Sequence, residues 1–147
     1  MTTPAPSTRL DDQLCFSLYA ASRAVVARYR PMLDSMGITY TQLLVLMALW
    51  DPEDPGPLTV RGIADRLGLD TATVSPLLKR MEALQLITRR RDTADERRVY
   101  VELTEAGRAL ERPTCDMSAM MIDVLQMSAE EVAALKEQLD TITERTR

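Results

Sequence analysis

No histidine occurs anywhere in the 147 residues. That absence removes Cys–His and Ser–His catalysis, His-bearing metal sites and the ordinary imidazole pH switch together. Cysteine is nearly absent as well. Cys15 and Cys115 are the only two, their separation fits no metal-ligand spacing, and a cytosolic pair is not expected to form a permanent disulfide. No run of about 18 apolar residues exists, so no membrane span is expected. Residues 1–9 lack the apolar core and cleavage site of a signal peptide, which makes the cytoplasm the expected compartment. Nothing in the sequence calls for a cofactor or a metal.

What is present reads as one soluble domain with helical extensions: 46% of residues are hydrophobic and 27% charged, at a length that can bury an adequate core. The net charge is −4, but it is unevenly spread. Residues 79–110 carry 8 Lys/Arg against 6 acids, whereas residues 111–147 carry 4 against 8. A local excess of cations decides phosphate binding more than the global sum does.

Residues 58–104 organise the chain. Thr59 can cap a short helix with Val60, Ile63, Ala64 and Leu67 inward, and Gly68 can end it. Asp70 then caps a second helix whose apolar positions, Val74, Leu77, Leu78, Met81 and Leu84, form one buried stripe. The opposite face presents Ala72, Ser75, Pro76 and Lys79, flanked by Thr73 and Arg80. Small polar residues lead and cations follow, which suits contact with base edges first and phosphates later. Residues 88–91 and 98–103 read as strands around the polar tip Asp92-Thr-Ala-Asp-Glu-Arg97, with Arg98, Tyr100 and Glu102 outward and Val99, Val101 and Leu103 inward. Helix, helix and basic hairpin in this order predict a winged helix-turn-helix that docks on double-stranded DNA. The expected fold is mainly α with a small β-hairpin wing.

This region, with Asp95-Glu-Arg-Arg98 in the wing and the trailing Leu103-Thr-Glu-Ala-Gly107, resembles the MarR family of bacterial repressors, and the resemblance extends from about Leu10 to the C-terminus. It implies that Arg97 is the wing-tip arginine entering a minor groove and that Asp95 braces it. A guanidinium in a narrow minor groove reads its width. The candidate DNA-facing set is therefore Asp70, Thr71, Thr73, Ser75, Pro76, Lys79 and Arg80 on the second helix, with Arg89, Arg90, Arg91, Asp95, Arg97 and Arg98 on the wing.

The flanks divide the chain into a Pro/Ser/Thr-rich, disordered N-terminus (1–9), an N-terminal dimerisation helix (10–37), the winged-helix unit (38–110) and C-terminal dimerisation helices (111–147). The first helix is expected from Leu10, with Leu14, Leu18, Ala21 and Val25 in its stripe, a kink at Pro31 and a stop at Gly37. Thr39 and Gln42 form a capping box for an apolar core helix reaching Trp50. Thr104 caps a helix that Pro113 interrupts, and Ser128 with Glu131 opens the last, with Val132, Leu135, Leu139 and Ile142 in its stripe. The first and last helices lack partners within the winged helix, so pairing with the same helices of a second copy is expected. A two-fold homodimer would set its recognition helices about 34 Å apart, matching a pseudo-palindromic operator.

Cys15 sits in Leu14-Cys-Phe-Ser-Leu-Tyr19, and Tyr29 lies roughly 21 Å further along the helix at 1.5 Å per residue. The two cannot meet within one subunit, although across an antiparallel helix pair they can. With Tyr29-Arg-Pro31, Ile38-Thr-Tyr-Thr-Gln42 and Thr73-Val-Ser-Pro-Leu-Leu-Lys-Arg-Met-Glu82, this segment is similar to the organic-hydroperoxide-sensing (OhrR-like) branch of the MarR family. The resemblance implies that Tyr29 and Tyr40 of one subunit hold the thiolate of Cys15 in the other, that an organic hydroperoxide oxidises it to a sulfenic acid, and that the operator is then released. Cys115 is either the thiol that resolves this sulfenate or a small core residue. If it does not resolve, a low-molecular-weight thiol would.

Three other functions stay open on the sequence: release by a small aromatic ligand in the same fold without cysteine oxidation, a cysteine peroxidase, and an architectural nucleic-acid binder. The missing histidine and the lack of a Cys-X-X-Cys pair weigh against the enzyme.

Overall fold

The computed structural model describes residues 6–147. The expectation of a disordered N-terminus falls largely on residues 1–5, which lie outside the described residues. Just after them, the Ser7 hydroxyl donates to Asp12 at 2.6 Å, and the Gln13 amide donates to the carbonyls of Ser7 and Arg9. Residues 7–9 are thus tied to the 3-10 turn Leu10–Asp12. That turn occupies the start expected for the first helix, and α1 runs Leu14–Arg28.

The break expected at Pro31 falls at Tyr29 instead, between α1 and α2 (Arg30–Met36). Pro31 stands in the first turn of α2, where its missing N–H costs no helical hydrogen bond, and Arg30 stays helical. Gly37, at φ 67°, closes α2 in the left-handed conformation. In α3 (Tyr40–Trp50) the Thr39 hydroxyl accepts from the Gln42 N–H while the Gln42 side chain accepts from the Thr39 N–H. This capping box delivers Leu43, Val45 and Leu46 into the core, all fully buried.

The loop after α3 ends in a two-residue strand that the sequence did not reveal. Leu58 and Thr59 form β1, pairing with Val101 and Tyr100 of β3 (Val99–Leu103). With β2 (Ile87–Arg91) on the other side, the sheet is antiparallel in the order β1-β3-β2. β3 starts at Val99 because the Arg98 N–H closes the wing turn on the Asp95 carbonyl at 2.9 Å. Of the three expected inward positions Val101 is fully buried, while Val99 and Leu103 are half-buried like Tyr100 and Glu102.

Thr59 also caps α4 (Val60–Leu67) through the Gly62 N–H, and Gly68, at φ 67°, ends it. Asp70 caps α5 (Thr71–Ala83) through the Thr73 N–H at 2.7 Å. Val74, Leu77, Leu78 and Met81 are buried. Leu84 is not: the helix stops at Ala83, so Leu84 leaves the stripe and is exposed. These side chains share one core with Ile63, Ile87 and Val101, joining α3, α4, α5 and the sheet.

Thr104 caps α6 (Glu105–Ala109) through the Gly107 N–H. Pro113 does not interrupt the next helix. The break falls at Leu110, and Pro113 lies in the first turn of α7 (Glu111–Leu125), where a proline is tolerated. Ser128 and Glu131 form the expected capping box of α8 (Ala129–Thr146). Neither α1 nor α8 contains a buried residue. Leu14, Met120, Leu125, Leu135 and Leu139 are exposed, leaving apolar faces on α1, α7 and α8 without cover in the protomer. Among the described residues no single helix is long and apolar enough to cross a membrane.

Candidate DNA interface and thiol site

A cleft of about 780 Å³ opens between the start of α4, the first turns of α5 and the wing. Thr71 and Ser75 line one side and Asp95, Arg97 and Arg98 another. The predicted outer face of α5 is outside: Thr71, Thr73, Ser75, Pro76, Lys79 and Arg80 are all exposed. Asp70 is exposed too, but its carboxylate is occupied by its own helix. Hydrogen bonds from Thr73, hydroxyl first and then backbone N–H, hold it below the usual aspartate range.

The wing cations fall into three groups. Arg97 is the most open, its side chain 91% exposed, with Nε 3.3 Å from an Asp95 carboxylate oxygen that also accepts the Arg97 backbone N–H at 3.1 Å. Arg98 approaches the other Asp95 oxygen at 3.9 Å. One carboxylate thus orients two arginines at the tip while leaving their outer donors free. Arg90 lies over the Tyr100 ring at 5.3 Å and 3.5 Å from Glu102, and Arg91 donates to the Glu96 carbonyl at 3.4 Å. Both stand on β2 away from the cleft, as do Lys79 and Arg80 further along α5.

Arg89 has a different setting. It borders the cleft, but Glu82 of α5 accepts its backbone N–H at 2.9 Å and its Nε and Nη2 at 3.3 and 3.1 Å. The Arg89 guanidinium, reinforced by that backbone N–H, holds the Glu82 carboxyl below its ordinary value. Much of the donor capacity of Arg89 is therefore spent on joining β2 to α5.

Arg61 of α4 lines the same cleft and was missed by the sequence reading. The signal was available: Arg61 is an exposed cation flanking the inner stripe of Ile63, Ala64 and Leu67, on a helix read only for that stripe.

At the other end of the protomer, Tyr29 and Tyr40 meet edge to face, with ring centroids 5.4 Å apart and planes at 60°. Tyr29 is buried at the α1–α2 break, and Tyr40 opens α3 half-buried. Burial, with the Tyr29 phenol adding to it, raises the Tyr40 pKa, so at neutral pH its hydroxyl keeps its proton and remains a donor. Cys15 is exposed on α1. One turn along, Tyr19 accepts from Arg23 at 2.9 Å and lies under its guanidinium at 5.5 Å. Cys115 is also a free, exposed thiol, beside Met47 and Trp50 in a hollow of about 400 Å³. Its reading as a core residue does not hold within the protomer, because α7 turns it outward.

Comparison with known proteins gives a consistent picture. The family described as transcriptional regulator SarA/Rot matches residues 27–112. The chain is 43% identical over 136 residues to the organic hydroperoxide resistance transcriptional regulator of Bacillus subtilis (strain 168), covering 92% of this chain and 90% of that protein. Among solved structures, reduced AbfR bound to DNA is 32% identical with a TM-score of 0.75, covering 95% of this chain and 96% of that one. AbfR, from Staphylococcus epidermidis, is also known overoxidised on DNA, at a TM-score of 0.75, and in a disulfide form, at 0.63. BpsR of Bordetella bronchiseptica, whose DNA binding is regulated by 6-hydroxynicotinic acid, is 25% identical with a TM-score of 0.79, covering 94% of this chain and 98% of that one.

Proposed function

Because the chain belongs to the SarA/Rot family of winged-helix, MarR-like transcriptional regulators, we propose that it is a dimeric repressor that binds a pseudo-palindromic operator and releases it when an organic hydroperoxide oxidises Cys15. The observation that carries this reading is the Tyr29–Tyr40 pair, taken together with an exposed cysteine further back on the uncovered helix α1. The two phenolic rings are in contact, and burial keeps the Tyr40 hydroxyl protonated as a donor. The Cys15 thiolate of the facing protomer is the acceptor that suits them.

The chemistry is a two-electron oxidation. The thiolate sulfur attacks one peroxide oxygen, the O–O bond breaks, the sulfur becomes a sulfenic acid, and the alkoxide leaves with a proton from solvent. The phenols then lose the anion they were holding. The uncovered faces of α1, α7 and α8 support a dimer layer built from those helices. In that layer the loss repacks the interface and changes the spacing of the two recognition helices. Cys115 is free to condense with the sulfenate, expelling water, and a low-molecular-weight thiol does so if it cannot. In this reading Thr71, Thr73, Ser75 and Pro76 stand against base edges on the helix that Asp70 caps, Lys79 and Arg80 against phosphates, and Arg97, braced by Asp95, in the minor groove.

The test is release of a bound duplex by an organic hydroperoxide, for the wild type and for Cys15→Ser, with mass spectrometry of both thiols. The redox reading requires release of the wild type, one oxygen or a disulfide on Cys15, and no release of Cys15→Ser. A second reading is favoured by the likeness to BpsR: a small aromatic ligand releases the DNA without cysteine oxidation. Cys15→Ser would then still respond to such a ligand, and peroxide would leave the wild type bound.

A further inference from the structure

We infer that Arg61 is a phosphate anchor of the DNA interface, gripping the duplex backbone from the wall of the cleft formed by α4; this rests on the reading that the cleft takes double-stranded DNA. Sorting the arginines around the winged helix by what already holds them, and by whether they line the cleft, leads to this residue; Arg80 and Arg108 are also unpaired among the described residues but do not line it. Arg66, also on α4, is paired with Asp51 and lies 3.5 Å from Asp54. Arg89 is held by Glu82, Arg90 by Glu102, and Arg97 and Arg98 by Asp95. Arg61 is exposed and lines the cleft, and among the described residues it has neither an ion-pair nor a hydrogen-bond partner. Asp65, one turn on, lines the cleft as well but forms no pair with it.

The position suits a backbone contact more than a base contact. In a helix-turn-helix the second helix enters the major groove while the first crosses the sugar–phosphate backbone at its edge. α5 brings Thr71 and Ser75 to the cleft, the wing brings Arg97, and α4 brings Arg61. A duplex whose major groove takes α5 therefore meets Arg61 at its phosphates, and a phosphate supplies the acceptor that the protein itself does not. Such a contact carries no sequence preference and releases condensed counterions when it forms.

The experiment is fluorescence anisotropy of the full chain on two labelled duplexes over 50–200 mM salt. One is a random-sequence duplex, and the other is the tightest binder that the wild type selects from a random pool. Arg61→Ala should weaken both duplexes by the same factor and flatten the slope of log K against log salt by about 0.9 for each bound protomer. Arg61→Lys, which keeps the charge, should restore most of that slope. Arg61→Gln provides a second neutral variant, and melting curves matched to the wild type establish that each variant is folded. A slope unchanged in a folded neutral variant overturns the inference and leaves the DNA reading standing. Loss confined to the selected duplex also overturns it, by making Arg61 a reader of bases. A wild type without salt-dependent affinity for either duplex overturns the DNA reading itself, and the role of Arg61 with it.

Discussion

Gly107→Ala separates helix propensity from packing, because the two predict opposite signs. Gly107 lies within α6, where alanine is favoured over glycine by about 1 kcal/mol. A Cβ there, however, would overlap the backbone carbonyl oxygen of Leu86 and meet a Leu103 methyl carbon at 3.1 Å. The Leu86 oxygen cannot swing aside, because it already accepts the Thr104 N–H at 3.1 Å at the corner between α5 and β2. α6 must move instead. Its movement strains the Thr104 cap on the Gly107 N–H and the bond from Trp50 Nε1 to the Gly107 carbonyl, both 3.1 Å. Overpacking of about 2 kcal/mol, with about 1 kcal/mol for each weakened bond, outweighs the propensity gain and leaves about 3 kcal/mol of destabilisation. For a chain of this size that lowers the melting temperature by roughly 6–12 °C. The assay is thermal unfolding by circular dichroism at one fixed protein concentration, since association would itself shift the midpoint. Gly62→Ala is the contrast: it is also helical, its nearest obstacle is the Thr59 hydroxyl at 3.1 Å, and its midpoint should move far less. A Gly107→Ala midpoint equal to or above the wild type would refute the packing argument.

Other perturbations have equally definite outcomes. Leu78 is fully buried between α5 and the shared core, so Leu78→Ala should cost about 2–5 kcal/mol in denaturant unfolding, and a smaller loss would mean the core collapses around it. Arg97→Ala should weaken duplex binding and flatten its salt slope by about 0.9 per protomer; an unchanged slope would remove Arg97 from the interface. The folded-state pKa of Glu82 is lowered, so its contribution to stability is present above the ordinary glutamate value of 4.5 and fades as pH falls through the lowered one. Glu82→Gln should therefore narrow the stability gap between pH 6 and pH 3, and an unaltered acid profile would deny the Arg89 pairing any energetic role.

The sequence made much of this architecture legible, because helix ends are decided locally. Thr39, Thr59, Asp70, Thr104 and Ser128 each cap the helix expected of them, since a side-chain oxygen needs only a neighbouring N–H within a few residues. What escaped depends on distant parts of the chain. β1 is two residues long and exists because β3, some forty residues later, offers it a ladder. The helix junctions at Tyr29 and Leu110 depend on how successive helices turn, and Pro31 and Pro113 sit in the first turns that follow, where a proline is tolerated. The candidate interface divided in the same way. The outer face of α5 followed from helical periodicity, whereas the diversion of Arg89 to Glu82 and the isolation of Arg61 depend on three elements meeting.

The bond between Glu82 and Arg89 has a further consequence. It fastens β2 to the last turn of α5 through main chain and side chain at once, so the first strand of the wing is tied to the helix. In the DNA reading proposed above, a tie of that kind works as a gauge of fixed length: bases read by α5 and a narrowing that takes Arg97 would have to lie a set number of steps apart. Inserting one base pair between them, about 3.4 Å of axial rise, would keep every contacted letter yet put them out of phase with the protein.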